Sequence, residues 1–503
     1  MKYPFWDVAI GYGLLMGTIA VLHVFISHFA IGGGLYLVVS EHLARRAGNE
    51  ARLEYLRRLS KFFVLVTLVA GALTGVGIWF IIGLLNPAAT EALIRTFVWG
   101  WATEWTFFIV EIAAAILYYY GWERMPARSH LVIGWIYFAA AWLSLFVING
   151  IVTFMLTPGA WLSSSGFWDG FFNPTFWPSL VFRTGICMAL AGLYALLVAA
   201  RLGDIDLKAR VARYNAVWSI VGVAITVPGF LWYLRAIPEP LMKAAHEHLR
   251  TPFVSLLHGQ RLAAVAVVGL LVVALLLPRR LHVASAAVLL ALALGWFGSF
   301  EWFRESVRKP WVIHGYMYSN GIEAGKIAEL RAAGLLPSLA YRTGEEGADL
   351  FRRACRSCHT VGGYKSIRRA FDGTDQPFII AMIKGIHLLR GQMPQFPGSP
   401  AEAETLGAWI YARVDHRSLG EIYRLQGVEL GRKVFEVRCG RCHVQGGYGD
   451  KTGSLAGMTP EDYRGVLDMA ADLGEGMPAF TGDATERAAL IQYLGTLQKG
   501  ETR

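Results

Sequence analysis

Two copies of the pattern Cys-x-x-Cys-His stand in the second half of the chain: Cys355, Cys358 and His359 form the first, and Cys439, Cys442 and His443 form the second. In this pattern the two cysteine sulfurs form thioether bonds to the edge of a haem, and the adjacent histidine is placed to bind the iron. The first motif begins at Cys355 and the second at Cys439, and the distance between these two positions is the period of a repeat. The sequence therefore predicts two covalently bound haem c groups in a repeated unit.

A methionine follows each motif at the same distance. The interval from His359 to Met393 equals the interval from His443 to Met477. A lone methionine is usually a flexible filler of a core, but an identical distance in two copies favours a role as an iron ligand. Iron bound by histidine and methionine has a raised reduction potential and no open position for a substrate. We therefore predict two axial pairs that transfer electrons only, His359 with Met393 and His443 with Met477.

The period continues without a gap on both sides of the motifs. The matched pairs are Gly347 and Gly431, Phe351 and Phe435, and Trp409 and Tyr493. The two units resemble class I cytochromes c over about residues 341–500. The resemblance implies that the glycine and phenylalanine of each unit lie on an N-terminal helix, and that the third matched residue lies on a C-terminal helix packed across it.

The residues before 304 have the composition of a membrane domain. The chain of 503 residues is 54% hydrophobic and only 17% charged, and nearly all of its long apolar runs precede residue 304. A run of about 20 apolar residues is long enough to cross a bilayer as a helix. We predict eight such helices, at about 9–39, 62–85, 97–120, 131–156, 178–200, 215–234, 260–278 and 282–303.

The predicted fold is therefore all-α, a polytopic bundle of about eight transmembrane helices followed by two tandem class I cytochrome c domains. The predicted bounds are 1–315 for the membrane domain, 316–340 for a linker, 341–420 for the first cytochrome c domain and 421–503 for the second. Cys187, the fifth cysteine, is expected to be a small buried apolar residue.

Basic residues predict the orientation in the membrane. They cluster in the loops after the first and fifth predicted helices, whereas the loop 157–177 has no lysine or arginine. Basic loops face the cytoplasm, and an even number of helices then places both termini outside, where c-type haem is attached. We expect a multi-pass protein of the bacterial cytoplasmic membrane with its cytochrome c domains on the periplasmic side. Orientation also explains the net charge of +10 without a nucleic-acid partner.

Ionisable side chains inside the apolar runs are candidate functional residues, because they are costly in a bilayer. They are His23 and His28 in the first predicted helix, Glu104 and Glu111 in the third, and Glu301 and Glu305 at the end of the eighth. Structural roles are equally expected for two of them. His28 could bond to a neighbouring carbonyl group, and Glu301 could pair with Arg304 or Arg308.

Several stretches of the membrane domain resemble subunit I of cytochrome bd-type oxygen reductases. They are 19–25 with 32–35, 72–75, 110–112, 120–124, 148–150 and 305–311, the last with the pattern E-x-x-R-x-P-W. The resemblance implies one or two haem b groups, or haem b with haem d. It implies that His23 binds a high-spin haem and that Glu305 binds or adjoins another. Glu104 and Glu111 would line the haem pocket or a proton path, although they are seven positions apart and the family's pair is eight apart.

Two departures from that family concern the electron input. The family binds a low-spin haem b with a histidine early in the fifth helix and a methionine in a later one, but Arg183 and Ala263 stand at these positions. The long loop associated with quinol oxidation is also missing, since the sixth predicted helix ends near position 234 and the seventh begins near position 260. The chain resembles the cytochrome c-containing branch of the bd superfamily, in which c haems would replace the quinol-fed haem. His258, just before the seventh predicted helix, could bind a displaced haem b, but a hydrogen-bonding role at the membrane surface is the expected one.

The expected function is that of a terminal oxidase fed from the outer side by a c-type cytochrome or another donor. The two c haems would pass electrons to high-spin haem that reduces oxygen to water, beside a second membrane chain similar to the family's subunit II. Three alternatives stay open. A quinol could be oxidised in the membrane with electrons leaving through the c haems, the chain could be a non-catalytic electron-transfer anchor, or the acceptor could be another molecule such as nitric oxide.

Overall fold

The structure, a computed structural model, describes residues 8–389, 393–474 and 476–497, and for residues 247–253 it describes the backbone only. Within these residues, eight helices are long and apolar enough to cross a membrane, which confirms the predicted bundle. They are α1 (Tyr12–Arg46), α2 (Glu50–Leu85), α3 (Val98–Gly121), α4 (Ala127–Phe154), α5 (Phe176–Ala199), α6 (Ile205–Ala236), α7 (Glu239–Leu276) and α8 (Val283–Arg308).

Several of these helices extend beyond the predicted apolar runs, and at α2 and α6 a polar side chain caps the start. The Asp204 carboxylate accepts hydrogen bonds from the backbone N–H groups of Asp206 and Leu207, so α6 begins at Ile205, well before the predicted start at position 215. The domain also contains helices at Pro87–Thr96, Trp161–Ser164, Phe167–Phe171 and Pro278–Arg280, and α2 has π-helical geometry over Leu65–Gly71.

Helices α1, α5 and α6 pack with their backbones in direct contact. A Cβ atom on Gly32 would lie 1.8 Å from the carbonyl oxygen of Cys187, and one on Gly222 would lie 2.3 Å from the backbone nitrogen of Ala189. Only glycine allows such an approach. Cys187 is buried at this crossing, in agreement with its expected role.

A short β-hairpin follows α8, and its strands are β1 (Trp311–Ile313) and β2 (Met317–Tyr318). Ile313 belongs to the hydrophobic core of the membrane domain, and the backbone N–H of His314 donates to the carbonyl oxygen of Met155 at 3.0 Å. The chain is thus anchored to one end of the bundle after its last crossing helix.

The rest of the chain forms two helical units, here called module 1 and module 2. Module 1 is built on α9 (Glu346–Ala354), α10 (Gln376–Lys384) and α11 (Pro400–Tyr411), and module 2 on α12 (Gly427–Val434), α13 (Pro460–Asp468) and α14 (Ala484–Leu494). Shorter helical segments lie at Ala324–Lys326, Ile327–Ala333, Leu336–Ser338, Ile367–Phe371, Ile386–Leu388, Leu419–Tyr423, Phe435–Cys439, Thr452–Leu455 and Ala470–Asp472.

The terminal helices of each module cross at a glycine. A Cβ atom on Gly347 of α9 would lie 2.3 Å from the Cβ of Trp409 on α11, and one on Gly431 of α12 would lie 1.9 Å from the carbonyl oxygen of Ala489 on α14. The predicted packing of the N-terminal helix across the C-terminal helix is therefore confirmed in both modules.

A buried glutamate fixes the start of each module, and the two glutamates are one period apart. Glu402 accepts hydrogen bonds from the backbone N–H groups of Leu335 and Leu336 at 2.8 and 2.7 Å. Glu486 accepts one from the N–H of Leu419 at 2.8 Å. Leu335 and Leu419 are themselves separated by the period, so the repeat begins before residue 341.

Glu402→Gln is expected to weaken the acid sensitivity of module 1. Burial raises the pKa of Glu402, but hydrogen bonds from the N–H groups of Leu335, Leu336 and Ser399 outweigh burial and hold the pKa below its ordinary value. The resulting stabilisation is fully present above the unfolded pKa of about 4.3 and is lost as the pH falls through the lower folded value. Melting of the protein, followed by circular dichroism over a pH series, checks this. If the stability of the variant falls as steeply with decreasing pH as that of the wild type, Glu402 is not the source of the acid sensitivity.

Candidate haem sites

Both Cys-x-x-Cys-His motifs fold into the same tight turn. The backbone N–H of His359 donates to the carbonyl oxygen of Cys355 at 3.0 Å, and that of His443 donates to Cys439 at 2.9 Å. In each module the turn directly follows the N-terminal helical segment, so the segment that crosses the C-terminal helix also positions the sulfurs. The four motif cysteines are half-buried and form no disulfide bond, so disulfide formation does not compete with thioether bonds at these sulfurs.

The two motif histidines are oriented by equivalent hydrogen bonds. His359 Nδ1 donates to the carbonyl oxygen of Lys365 at 3.1 Å, and His443 Nδ1 donates to that of Gly449 at 2.8 Å. Lys365 and Gly449 are one period apart, and both have left-handed backbones with φ of 47° and 60°. A carbonyl bound to Nδ1 fixes the ring and leaves Nε2 for a metal. Lys365 and Gly449 occupy equivalent positions of the repeat, but neither residue type indicates that its carbonyl group binds a histidine.

The two methionines proposed as second ligands lie in loops. Met393 is half-buried and packs against the core of module 1, and Met477 is also half-buried. Residues 390–392 and 475, which adjoin them, lie outside the described residues. In module 2, Met469 and Leu473 each have 52% of their surface exposed close to the methionine loop. Apolar side chains of this kind suit a porphyrin face, so the residues present fit a c-type haem in each module.

Replacing Cys439 and Cys442 together with serine is expected to halve the haem c content. Serine cannot form the thioether bonds that retain the porphyrin, whereas the motif of module 1 is unchanged. A pyridine haemochrome assay against protein concentration gives the count, and the matching replacement of Cys355 and Cys358 is its counterpart. A content that does not change in either double variant would contradict covalent attachment at these motifs.

His23 lies half-buried on α1 and faces α2. Its Nδ1 contacts the hydroxyl oxygen of Thr74 at 3.1 Å, and that hydroxyl donates to the carbonyl oxygen of Ala70 at 2.7 Å. Because the hydroxyl proton is already used, His23 Nδ1–H is the donor, and Nε2 is left for another partner. A Cβ atom on Gly75 would lie 3.2 Å from the His23 ring, so glycine leaves room beside the imidazole. The residue fits the role of a haem ligand.

His28 has the structural role considered for it. It is 3% exposed, its Nδ1 donates to the carbonyl oxygen of Val24 at 2.9 Å, and its ring lies edge-on to Phe297 with centroids 4.8 Å apart. These contacts hold His28 in the helix packing, together with Arg183, whose Nη1 donates to His28 Nε2 at 3.4 Å.

Glu104 and Glu111 lie on the face of α3 that packs against α4. The hydroxyl of Ser144 donates to Glu104 at 3.1 Å, and the hydroxyl of Tyr137 donates to Glu111 at 3.0 Å. Two carboxyl groups with hydroxyl partners on one helix face can hold and release protons. Within the described residues, no hydrogen bond or ion pair joins either glutamate to His23 or Glu305.

Glu305 ends α8 in a cluster of positive charge. It forms ion pairs with Arg308 at 2.5 Å and with Lys309 at 3.2 Å. Within the described part of the chain, Arg304 Nη1 and Arg308 Nε are buried and have no hydrogen-bond acceptor. Buried donors are costly when unsatisfied. An anionic group such as a haem propionate would satisfy them, so this end of α8 fits a haem as well.

Arg183, which stands where the family has a haem-binding histidine, forms a buried ion pair. Its Nη2 donates to Glu301 at 2.9 Å, and Arg304 Nε donates to the same carboxylate at 3.0 Å. The predicted pairing of Glu301 with Arg304 occurs, but the involvement of Arg183 was missed. The sequence signal that could have indicated this pair was an arginine in one apolar run, Arg183, and an acid in another, Glu301.

The space between α5, α6, α7 and α8 does not fit a low-spin haem. A residual cavity of about 20 Å³ lies there, which holds a water molecule but not a porphyrin. It is lined by Phe182, Ile186, Phe230, Gln260, Trp296, Phe297 and Phe300. Aromatic side chains and the ion pair of Arg183 therefore fill this part of the bundle.

Comparisons with known proteins agree with this architecture. A family model described as cytochrome bd terminal oxidase subunit I matches residues 14–232. A model described as cytochrome c oxidase, cbb3-type, subunit III matches residues 342–410 and again 426–494. The solved structure of bd oxidase from Geobacillus thermodenitrificans is similar with a TM-score of 0.53 at 16% identity, covering 61% of this chain and 88% of that chain. No curated protein sequence matches the chain.

The fold and the two attachment motifs are those of a membrane-bound haem protein of electron transport. More particularly, the chain joins a membrane domain similar to subunit I of cytochrome bd terminal oxidase to two modules similar to subunit III of cbb3-type cytochrome c oxidase.

Proposed function

We propose that the chain is the catalytic subunit of a respiratory oxidase in which electrons from an outer-side donor pass through the two c haems to high-spin haem in the membrane, where oxygen is reduced to water. The contrast between two positions carries the proposal. His23 has one ring nitrogen fixed by Thr74 and the other left for a partner, whereas Arg183 is neutralised by Glu301 where the family binds its quinol-fed haem. The electron input has changed, and the catalytic ligand has been kept.

The residues of the modules would bind the two c haems, and His23 of the bundle would bind the membrane haem. His359 with Met393, and His443 with Met477, would complete the coordination of the two c haems. His23 would bind the high-spin haem, whose open iron position supplies the oxygen chemistry when the group is bound.

The polar residues of α3 and α8 would serve the same site. Glu305 would bind or adjoin a second membrane haem, and the unsatisfied N–H groups of Arg304 and Arg308 would neutralise propionates. Glu111 and Glu104 would hold protons on one face of α3 for delivery to reduced oxygen.

The location follows from charge and haem chemistry. Basic loops after α1 and α5 favour a cytoplasmic position for these ends, which supports a periplasmic position for both modules and a bacterial cytoplasmic membrane as the location. Large apolar side chains on the outside of the bundle, such as Leu73, Phe80 and Trp99, are 74%, 62% and 76% exposed. A second membrane subunit, as in bd oxidases, would cover part of this surface and lipid the rest.

An optical spectrum of the reduced protein with and without carbon monoxide tests the proposal. We expect carbon monoxide to shift a band of b- or d-type haem and to leave the bands of the c haems unchanged, because only the membrane haem has an open position. A haemochrome count identifies the haem types in the same sample. If only haem c is found, or if no band responds, the oxidase proposal fails and an electron-transfer anchor takes its place.

A further inference from the structure

The attachment motif of module 1 lies against the membrane domain. The backbone N–H of Tyr364 donates to the carbonyl oxygen of Ala9 at 3.3 Å, and Arg356, inside the first motif, reaches the carbonyl oxygen of Leu85 at the end of α2. A Cβ atom on Gly363 would lie 1.8 Å from the Ala9 carbonyl oxygen, so the two backbones touch. The haem-binding face of module 1 therefore adjoins the end of the bundle.

The predicted linker 316–340 joins the two parts rigidly. The side-chain amide of Asn86, at the end of α2, donates to the carbonyl oxygen of Ser319 at 3.0 Å. Arg353 of α9 donates to the carbonyl oxygens of Asn320 and Gly321, and Ile322 is buried in the core of module 1. This stretch is packed on both sides and does not act as a flexible tether.

The end of α8 lies at the same end of the bundle as the first motif. Lys309, directly after α8, pairs with Glu305 at 3.2 Å. The next residue, Pro310, accepts a hydrogen bond at 2.9 Å from the backbone N–H of Ser319, whose own carbonyl oxygen binds Asn86 at the end of α2. The proposed haem residue of α8 and the motif of module 1 therefore both adjoin this end of the bundle.

The attachment motif of module 2 lies against module 1. Cys442 packs against the hydrophobic core of module 1, and the Arg441 guanidinium lies 4.7 Å from the centre of the Phe371 ring. Arg438, just before the motif, donates to the carbonyl oxygen of Gly373 at 2.9 Å.

The methionine loop of module 2 also lies against module 1. A Cβ atom on Gly476, the residue before Met477, would lie 2.5 Å from Leu388 of module 1. Both sides of the second haem site therefore face module 1.

We infer that module 2 is the electron-accepting module and that module 1 is the relay to the membrane haem, so that electrons pass from donor to module 2, to module 1 and to the bundle. The inference rests on the proposed function. Each step moves one electron and makes no bond: the donor is oxidised, the iron of module 2 is reduced and then reoxidised by module 1, and oxygen is the final acceptor. The contacts described above place module 1 between its two neighbours in this order.

The charge of module 2 points to the kind of donor. Residues 419–497 contain more acidic than basic side chains, whereas residues 335–418 have the opposite balance. Opposite charges steer a partner to its docking surface and raise the association rate. The donor that fits module 2 is a small soluble redox protein with a basic face around its redox centre.

Matched ligand variants, Met477→His and Met393→His, test the order. Histidine in place of methionine lowers the potential of one haem, and a tenfold change in a one-electron equilibrium corresponds to about 59 mV. The full-length protein is mixed anaerobically, under carbon monoxide, with a reduced lysine-rich soluble cytochrome c, and the c bands are followed in time. Redox titration identifies the altered haem, and a haemochrome count shows that both haems are present.

The two variants should behave differently. In Met477→His we expect reduction of both c haems to slow by about tenfold or more, since electrons must pass an unfavourable first site. In Met393→His the haem of module 2 should be reduced at the wild-type rate, while that of module 1 stays oxidised. The opposite pattern, or unchanged reduction of module 1 in Met477→His, would overturn the order.

Cross-linking gives a second readout that needs no electron transfer. A carbodiimide joins donor lysines to carboxylates of the acceptor surface, and mass spectrometry identifies the peptides. Links to module 2 are expected, and links confined to module 1 or to the membrane domain would overturn the inference. Failure of the carbon monoxide test would remove the oxidase function but would leave this order between the modules measurable.

Discussion

His23→Ala is expected to remove the carbon monoxide-responsive haem from the membrane domain while both c haems remain. His23 is half-buried on α1, and its Nδ1 donates to Thr74, which leaves Nε2 for the iron. Alanine offers no ligand to iron, and loss of even an outer-shell partner of a metal ligand costs about 10–100-fold in affinity or activity. Oxygen consumption should therefore fall by more than about 100-fold, with the haem b or d content reduced and the haem c content unchanged.

Two companion variants separate this effect from a general loss of folding. Thr74→Val removes the acceptor of Nδ1 but keeps the imidazole, so a smaller loss of about 10-fold is expected. His258→Ala alters an exposed histidine of α7 and should change neither spectrum nor rate. If His23→Ala retains the carbon monoxide response, another residue binds the high-spin haem, and the ligand assignment is wrong.

Local sequence signals were sufficient wherever one helix or one turn determined the structure. The eight crossing helices follow from apolar length, and the crossing of Gly347 with Trp409 follows from the repeat and the resemblance. The carbonyl of Lys365 and the carboxylate of Glu402 could also have been found, because each recurs one period later, at Gly449 and Glu486. They were missed because a backbone carbonyl has no signature in residue type, and an isolated glutamate does not reveal which N–H groups it will bind.

Contacts between distant segments could not be derived in the same way. Arg183 and Glu301 are far apart in the chain and meet because α5 packs beside α8. An arginine in an apolar run predicts that a partner exists, but it does not identify which of several acids is the partner. The docking of module 1 on the bundle is similar, since Tyr364 and Arg356 donate to the backbone carbonyl oxygens of Ala9 and Leu85, and a carbonyl group has no signature in residue type.

Arg183→Met is expected to destabilise the membrane domain by about 3–5 kcal/mol, the usual cost of removing one member of a buried ion pair. The side chains of Arg183 and Glu301 are only 7% and 9% exposed, so water cannot replace the lost partner. Arg304 still contacts Glu301 in this variant, which places the expected effect near the lower limit. Glu301→Leu leaves two buried arginines instead and should be worse. Thermal unfolding in detergent shows which of the two variants is less stable.

The exposed pair of Arg279 and Asp206, with side chains 72% and 59% exposed, is the matched control. Arg279→Ala should change stability by about 1 kcal/mol or less, so an equal loss in both variants would show that burial is not the cause.

Arg183→His combined with Ala263→Met restores the residue types of the family's low-spin site. The double variant tests whether the bundle lacks only the two haem ligands or also the space for a haem. We expect no additional haem b in the purified protein, because aromatic side chains leave a cavity of only about 20 Å³ between α5 and α8. The Glu301 carboxylate would also keep its ion pair with Arg304 beside the new histidine. A new low-spin b band in the double variant would mean that the bundle kept its haem space and lost only the ligands. Its absence would mean that packing and charge, as well as the missing ligands, exclude a haem from this part of the bundle.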